Sequence, residues 1–424
     1  MKVICEFRGN RLWFISEREN SDSSLDGRCG NTECYFDMPF SDINKIHPDH
    51  LGLATILLFN PFIGEELYLP CEVSSDFYES VKRVLSKYKI SSGYSEKIKR
   101  YSSTGKSKPG LALSGGQDSV AALSLMPENT VCIFLDRPMN QDSFYDSDAA
   151  YMTCESLSQI GYDVRKVESD LEYLRNPVGF PSDLANGVPI ILLAKYLDID
   201  SIGYGTVLES TYGIGHEEFR DYPNKPHHRF YGDIFKSAGL EKNFPVGGIS
   251  EVGTSLINMK SSIGKMSQSC IRGVWKRPCH KCWKCFRKDL LGAALYNNKN
   301  EVDLKISLKQ KEVKNNLIKI PISHENVLMY SLKKIDIGEY KFLEELKNRV
   351  DRDINIDFLE RWYAPSLVLI PDKYKIFIRD KILDFMPAMN NSQEIGVVNW
   401  DMNEFIENKM TISNKNILVS SLNS

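Results

Sequence analysis

Three features of the sequence predict an α/β fold built on a doubly wound parallel sheet, with a small α+β segment before it and a mostly helical one after it. Between residue 109 and about residue 240, short apolar runs alternate with helical patterns, the order that places helices on both faces of a parallel sheet. At the front of this region, Ser114-Gly115-Gly116-Gln117-Asp118-Ser119 stands where an apolar strand, 111–113, should turn into a helix beginning near Val120. Behind it, four cysteines fall within sixteen residues.

The elements follow in order. In the N-terminal α+β segment, residues 1–100, residues 3–7 and 12–15 read as strands around the Gly9-Asn10 turn, and a helix is expected near 76–89. Residues 91–108, rich in Ser, Gly, Lys and Tyr, read as a linker or an active-site flap. The core, residues 101–300, should hold a strand at 111–113, a further apolar strand around Cys132, and helices over 148–160 and 189–197. Ligands of such sheets sit beyond the carboxyl ends of the strands, so residues 114–119, Asp136 and residues 204–210 should meet there. Residues 301–424 are lysine-rich and mostly helical, carry no motif, and complete a chain without internal repeats.

The six-residue turn has the design of a phosphate cradle. Gly115 and Gly116 allow positive φ and close backbone approach, so that successive N–H groups and the positive end of the next helix face one concavity. Ser114 and Ser119 add hydroxyl donors, and Asp118 can hold a Mg²⁺ that bridges phosphate oxygens. The spacing is not G-x-x-x-x-G-K-[ST] and no lysine follows the glycines, which disfavours a Walker-type nucleotidase. Ser114, Asp118 and Ser119 are therefore the candidate catalytic residues, with Gly115, Gly116 and Gln117 completing the nucleotide-binding turn. A plain glycine-rich surface turn is the alternative.

Cys270, Cys279, Cys282 and Cys285 have the spacing C-x8-C-x2-C-x2-C, amid basic residues that offset thiolate charge. A tetrahedral Zn²⁺ and an iron–sulfur cluster both suit these ligands. His280 lies inside the cluster, but four cysteines already fill a tetrahedral shell. The other six cysteines are scattered, as expected of reduced thiols.

The string S-G-G-x-D-S resembles the PP-loop of the ATP pyrophosphatase superfamily, whose members cleave ATP between the α- and β-phosphates and adenylate a substrate. With Ser269-Cys270 and Pro278-Cys279-His280-Lys281-Cys282-Trp283-Lys284-Cys285 about 150 residues later, the chain resembles 7-cyano-7-deazaguanine synthase (QueC) and its QueC-like relatives over residues 109–292. The resemblance implies a HUP-like core of the adenine nucleotide alpha hydrolase type, ATP and Mg²⁺ at the loop, and a zinc knuckle. It also implies a second sheet strand at 131–136 with adenine reception near Phe134 and Leu135, and a strand at 202–205 ending in Gly205 before a substrate loop whose Glu209, Tyr212, His216 and Arg220 would hold the acceptor. An ordinary surface loop is the plainer reading of residues 206–221.

Three departures fall on the substrate side. Ile214 and His216 replace an Asp and an Arg of the family pattern, and Ser182-Asp183 replace an Arg-Asn pair. The lysine expected some twenty residues before the Ser-Cys pair is missing, its place taken by Ser250-Glu251-Val252-Gly253-Thr254. The resemblance thus implies an ATP-dependent, AMP-forming ligase that activates a carboxylate or amide for a nitrogen nucleophile, with the acceptor left open between a deazapurine, another small molecule and a protein. A sulfur-inserting enzyme acting on a nucleobase and a non-catalytic nucleotide-binding subunit of a bacterial antiviral defence system are the alternatives.

Composition fits this class. The chain has 424 residues, 42% hydrophobic and 26% charged, and a formal net charge of −3, which gives no general pull toward nucleic acid or membrane. The N-terminus reaches Glu6 and Arg8 after a very short apolar run, unlike a signal peptide, and no stretch has the ~18 apolar residues that a bilayer span needs. A cytoplasmic protein is expected, with partner proteins and a homodimer as open possibilities.

Overall fold

The computed structural model describes residues 1–23, 29–85, 87–105, 108–138, 145–296, 304–335, 341–351, 354–406 and 408–423. Residues 106–107 of the expected linker or flap lie outside them.

Strands β1 (Lys2–Arg8), β2 (Arg11–Glu17) and β3 (Glu33–Asp37) form an antiparallel sheet in that order. The β1–β2 hairpin closes on the pair Arg8 and Arg11, and Gly9 takes the positive φ of +68° that its two-residue turn requires. Along β2, Leu12, Phe14 and Ser16 point inward, the period of two of a sheet with one covered face. Helix α1 (Pro48–Phe59) is buried at eleven of its twelve positions, which explains its nearly continuous apolar sequence. The buried Asp49 of its first turn is satisfied by the Ser74 N–H and hydroxyl, both at 2.7 Å. Short strands β4 (Glu66–Leu67) and β5 (Val73–Ser74), helix α2 (Ser75–Val84), and strands β6 (Lys89–Ile90) and β7 (Tyr94–Ser95) complete this part. The helix expected to reach residue 89 stops at Val84, because Lys89 and Ile90 pair in parallel with Glu66 and Leu67.

The core alternates β8 (Pro109–Ala112), α3 (Gln117–Leu125), β9 (Val131–Asp136), α4 (Asp148–Gln159), β10 (Asp163–Glu168), α5 (Val188–Leu197), β11 (Ser201–Gly203), α6 (Leu208–Tyr212), α7 (Pro226–Ser237), β12 (Glu241–Asn243) and α8 (Glu251–Lys260). The five strands form one parallel sheet in the order β10-β9-β8-β11-β12. The winding direction reverses between β8 and β11, the place where open parallel sheets leave a crevice at their carboxyl ends. Both faces are covered: Val131, Ile133 and Leu135 of β9 pack into the cluster with α1 and α5, whereas Cys132 and Phe134 pack into the cluster with α3 and α4.

The chain continues with α9 (Trp283–Tyr296), α10 (Leu304–Leu308), α11 (Lys311–Leu317), α12 (Glu325–Lys334), α13 (Lys341–Val350), α14 (Asp372–Phe385), α15 (Asn391–Val398), α16 (Asn403–Ile406) and α17 (Lys409–Asn423). The C-terminal part is thus helical, as expected. Ile378 and Ile382 of α14 join Val120 and Ile257 in the second core cluster, and the Tyr374 hydroxyl donates to buried Asp200 at 2.8 Å. Among the described residues no helix is long and apolar enough to cross a membrane.

Candidate functional site

The turn between β8 and α3 is held from inside and from outside. Gly115 has a φ of +75°, which a side chain would strain, and a Cβ there would also come within 3.3 Å of Ala150. Ser114 Oγ lies 3.1 Å from Ser119 Oγ and accepts from the Gly116 N–H at 3.3 Å, and Ser119 Oγ donates to the Gly116 carbonyl at 3.0 Å. Ser114 is exposed while Ser119 is buried, so one hydroxyl faces the crevice and the other braces the turn. Gly205, just after β11, passes so close that a Cβ would meet the Ser119 nitrogen at 2.8 Å. The switch point of the sheet thus brings residues 114–119 and Gly205 together.

Asp118, half-buried in the first turn of α3, accepts from Thr254 Oγ1 at 2.8 Å through Oδ1. Helix α8 supplies this partner and two more: Asn258 Nδ2 donates to the Gln117 carbonyl at 2.8 Å, and Ser255 Oγ faces Gln117 Oε1 at 3.5 Å. These residues were not evident from sequence. Their signal is the spacing of Glu251, Thr254, Ser255 and Asn258 at i, i+3, i+4 and i+7, a polar stripe beside the buried apolar Val252 and Ile257 of the same helix.

Beside the turn, at the carboxyl ends of β8 and β9, lies a slot of about 100 Å³. Phe134 and Leu135 line it together with Ser114, Arg137, Phe180 and Asn186. The sequence-derived adenine residues and the cradle therefore border one space. Asp136, at the end of β9, accepts a hydrogen bond from the Tyr151 hydroxyl, and burial pushes its carboxyl above the usual range.

The four cysteines converge, their sulfurs all within 4.8 Å of one another and those of Cys279 and Cys285 at 3.7 Å. A tetrahedral ion with Zn–S bonds of ~2.3 Å would set its ligand sulfurs about 3.8 Å apart, so the donor set fits one four-coordinate metal. The sulfurs also accept backbone N–H bonds, Cys279 N to Cys270 Sγ at 3.3 Å and Cys285 N to Cys282 Sγ at 3.4 Å. His280 Nδ1 instead meets Asp289 Oδ2 at 2.9 Å. The cysteine segment folds back on the turn: the Gln268 N–H donates to the Gly115 carbonyl at 2.9 Å, and the Gln117 N–H reaches Ser269 Oγ at 3.4 Å.

The expected substrate-loop residues take three kinds of position. Glu209 is fully buried and caps α8, both its oxygens accepting from the Glu251 N–H at 3.0 and 3.1 Å, and Asn326 Nδ2 donates to it at 2.8 Å. Tyr212 is 2% exposed and stacks on Phe219. His216 is half-buried, and burial and the neighbouring His324 push its imidazole down to about 4. Arg220 is exposed. Across this loop lies the C-terminal part: the Phe219 N–H donates to the Trp400 carbonyl at 2.8 Å, the Met402 N–H to the Glu217 carbonyl at 2.7 Å, and Trp400 Nε1 to the His216 carbonyl at 3.0 Å.

Glu251 joins these parts. It is paired with Arg287 at 2.7 Å, Lys288 at 3.0 Å and His324 at 3.3 Å. Burial pushes its carboxyl up, but Lys288, Arg287 and His324 together outweigh that effect and hold it well below the usual carboxylate range.

A model described as a family of unknown function (DUF6395) matches residues 230–401. No curated protein matches the chain. Among solved structures, the U34-tRNA thiolase NcsA from Methanococcus maripaludis with its [4Fe-4S] cluster is similar at 15% identity and a TM-score of 0.27, over 57% of this chain and 77% of that one.

Proposed function

We propose that the chain is a QueC-like, ATP-dependent, AMP-forming enzyme that activates a carboxylate or amide oxygen of an acceptor for attack by a nitrogen nucleophile. The observation that carries this reading is the turn itself: S-G-G-x-D-S at the switch point of a parallel sheet, with Gly205 against it and a slot lined by Phe134 and Leu135 beside it. ATP would lie with its base in the slot and its β- and γ-phosphates over Gly115, Gly116 and the N-terminus of α3. Ser114 would donate to the leaving pyrophosphate, Ser119, its hydroxyl given to the Gly116 carbonyl, would hold the turn in shape, and the Asp118 oxygen turned away from Thr254 would face the metal. Mg²⁺, when bound, neutralises charge that builds on the phosphates. The protein's contribution is orientation and fixed dipoles, which cost no reorganisation as the α-phosphorus is attacked. The four cysteines would hold one Zn²⁺ that fixes the segment behind the turn, a structural role that the close sulfur spacing supports.

Product analysis tests this. Purified chain incubated with α-labelled ATP, Mg²⁺, ammonia and pools of deazapurine carboxylates or candidate partner proteins should release AMP and pyrophosphate. ADP and phosphate as main products would overturn the assignment.

A further inference from the structure

At the edge of the parallel sheet formed by β12, that strand, α7 and the start of α14 enclose a cavity of about 190 Å³. None of residues 114–119 lines it. Three lysines do: Lys236 of α7, Lys375 of α14 and, between them, Lys242 of β12, which is only 9% exposed. Lys242 Nζ donates to the His228 carbonyl at 2.9 Å and meets His228 Nδ1 at 3.1 Å. Both partners are neutral, since burial, Lys242 and His227 push the His228 imidazole down to about 3. Among the described residues no carboxylate lies within ion-pair distance of the amine, and Asp233 acts on it only from farther away.

A lysine desolvated against neutral partners carries a standing cost that a bound anion removes. Burial accordingly pushes the Lys242 amine down to about 7. The two acids on the wall do not supply the missing charge. Asp372 is held by Lys375 at 2.5 Å and its side chain is 93% exposed, so it belongs to the solvent side. Glu241 precedes Lys242 on the strand, where successive side chains point to opposite faces, and it borders a separate cavity with Tyr101 and Asp200. The first turn of α14, which no side chain caps, reaches the cavity at Pro371 and Asp372 and adds the positive end of a fourteen-residue helix to the field.

We infer that this cavity binds a tetrahedral oxyanion, a phosphate or sulfate group, with Lys242 beneath it and Lys236, Lys375 and the N-terminus of α14 around it. The size agrees: the cavity lies below the roughly 300 Å³ at which pockets for larger organic ligands begin, so the part recognised is a small group. The bound ion would join the last strand of the sheet to the C-terminal helices. The site stands apart from the phosphate turn and holds whatever reaction that turn serves.

Titration calorimetry with sulfate tests this on the full chain at constant ionic strength, because sulfate does not itself titrate near neutral pH. Binding should restore the charge on Lys242. At pH 8, where the free amine is mostly neutral, it should take up close to one proton, read from the heats in buffers of different ionisation enthalpy; at pH 6, where the amine is already charged, it should take up little. Sulfate held at residues 114–119 would show no such uptake, since no lysine stands in that turn. The amine is surrounded by His228, Asp233 and Lys236 of α7, Glu241 of its own strand, and Asp372 and Lys375 of α14, and Lys242→Met separates its proton from theirs. That variant should lose the uptake and bind sulfate at least about tenfold more weakly. Lys236→Gln with Lys375→Gln should weaken sulfate but keep the proton taken up per bound ion. In a parallel titration, O-phosphoserine binding more tightly than sulfate assigns the site to a phosphate carried on a larger molecule, and weaker or equal binding assigns it to the free ion. The site is overturned if the unaltered chain binds no sulfate at about 10 mM, binds it without proton uptake at pH 8, or keeps that uptake in Lys242→Met.

Discussion

Asp118 has one oxygen engaged by Thr254 and therefore one orientation to offer a metal. Replacing it by Ala should lower Mg²⁺-dependent AMP formation by at least ~100-fold, about 2.7 kcal/mol on the barrier, with the circular dichroism spectrum unchanged. Thr254→Val keeps the shape and removes the hydrogen bond, so it should raise the Mg²⁺ concentration needed for half-maximal rate by roughly fivefold, an effect of about 1 kcal/mol. Equal rates and metal dependence in both variants and the parent would remove Asp118 from the chemistry. The two residues also show what a sequence can and cannot display. Residues 114–119 are contiguous, so their cradle is written in one line of text. Thr254 reaches the site across 136 positions, and only the packing of α8 on α3 makes it a partner.

At the scale of elements, the cysteine segment was legible because x2 spacings can bring sulfurs together through local chain geometry alone. Its docking was not, because the contacts of Gln268 with Gly115 and of Ser269 with Gln117 join pieces with no shared pattern. The same limit explains helix α2. Its apolar periodicity gave the start near Ser75, but its end at Val84 is imposed by the pairing of Lys89 and Ile90 with Glu66 and Leu67. Metal and docking together predict a coupled loss: Cys282→Ser should release the bound metal and lower the melting temperature, since the energy of a structural site is folding energy. Elemental analysis of the purified chain should find one zinc per protein in the parent. Iron with labile sulfide instead would replace the zinc assignment by a cluster, and a metal-free parent of full stability would end it.

The whole molecule is tied together by charges that sequence patterns do not reveal, because their partners sit far apart in the chain. Glu251 opens α8, Arg287 and Lys288 follow the last cysteine on α9, His324 precedes α12, and Glu209 comes from α6 to cap α8 from the other side. The side chains of Glu251, Arg287 and Lys288 are 4%, 7% and 11% exposed, so solvent cannot screen a charge left alone among them. A buried pair can be worth little relative to apolar replacements, yet breaking it from one side strands the other charge. Glu251→Gln should accordingly destabilise the chain by roughly 3 kcal/mol in denaturant unfolding, a cost set by the unpaired Arg287 and Lys288 rather than by the lost contacts themselves. Removing one stranded charge tests that account. Glu251→Gln combined with Arg287→Met should recover part of the loss, because the methionine leaves no cation to desolvate and packs near Trp283. A double variant less stable than Glu251→Gln by the full cost of a second independent lesion would mean that the residues contribute separately, and that the joint between the cysteine segment, the loop and the C-terminal helices is held by packing alone.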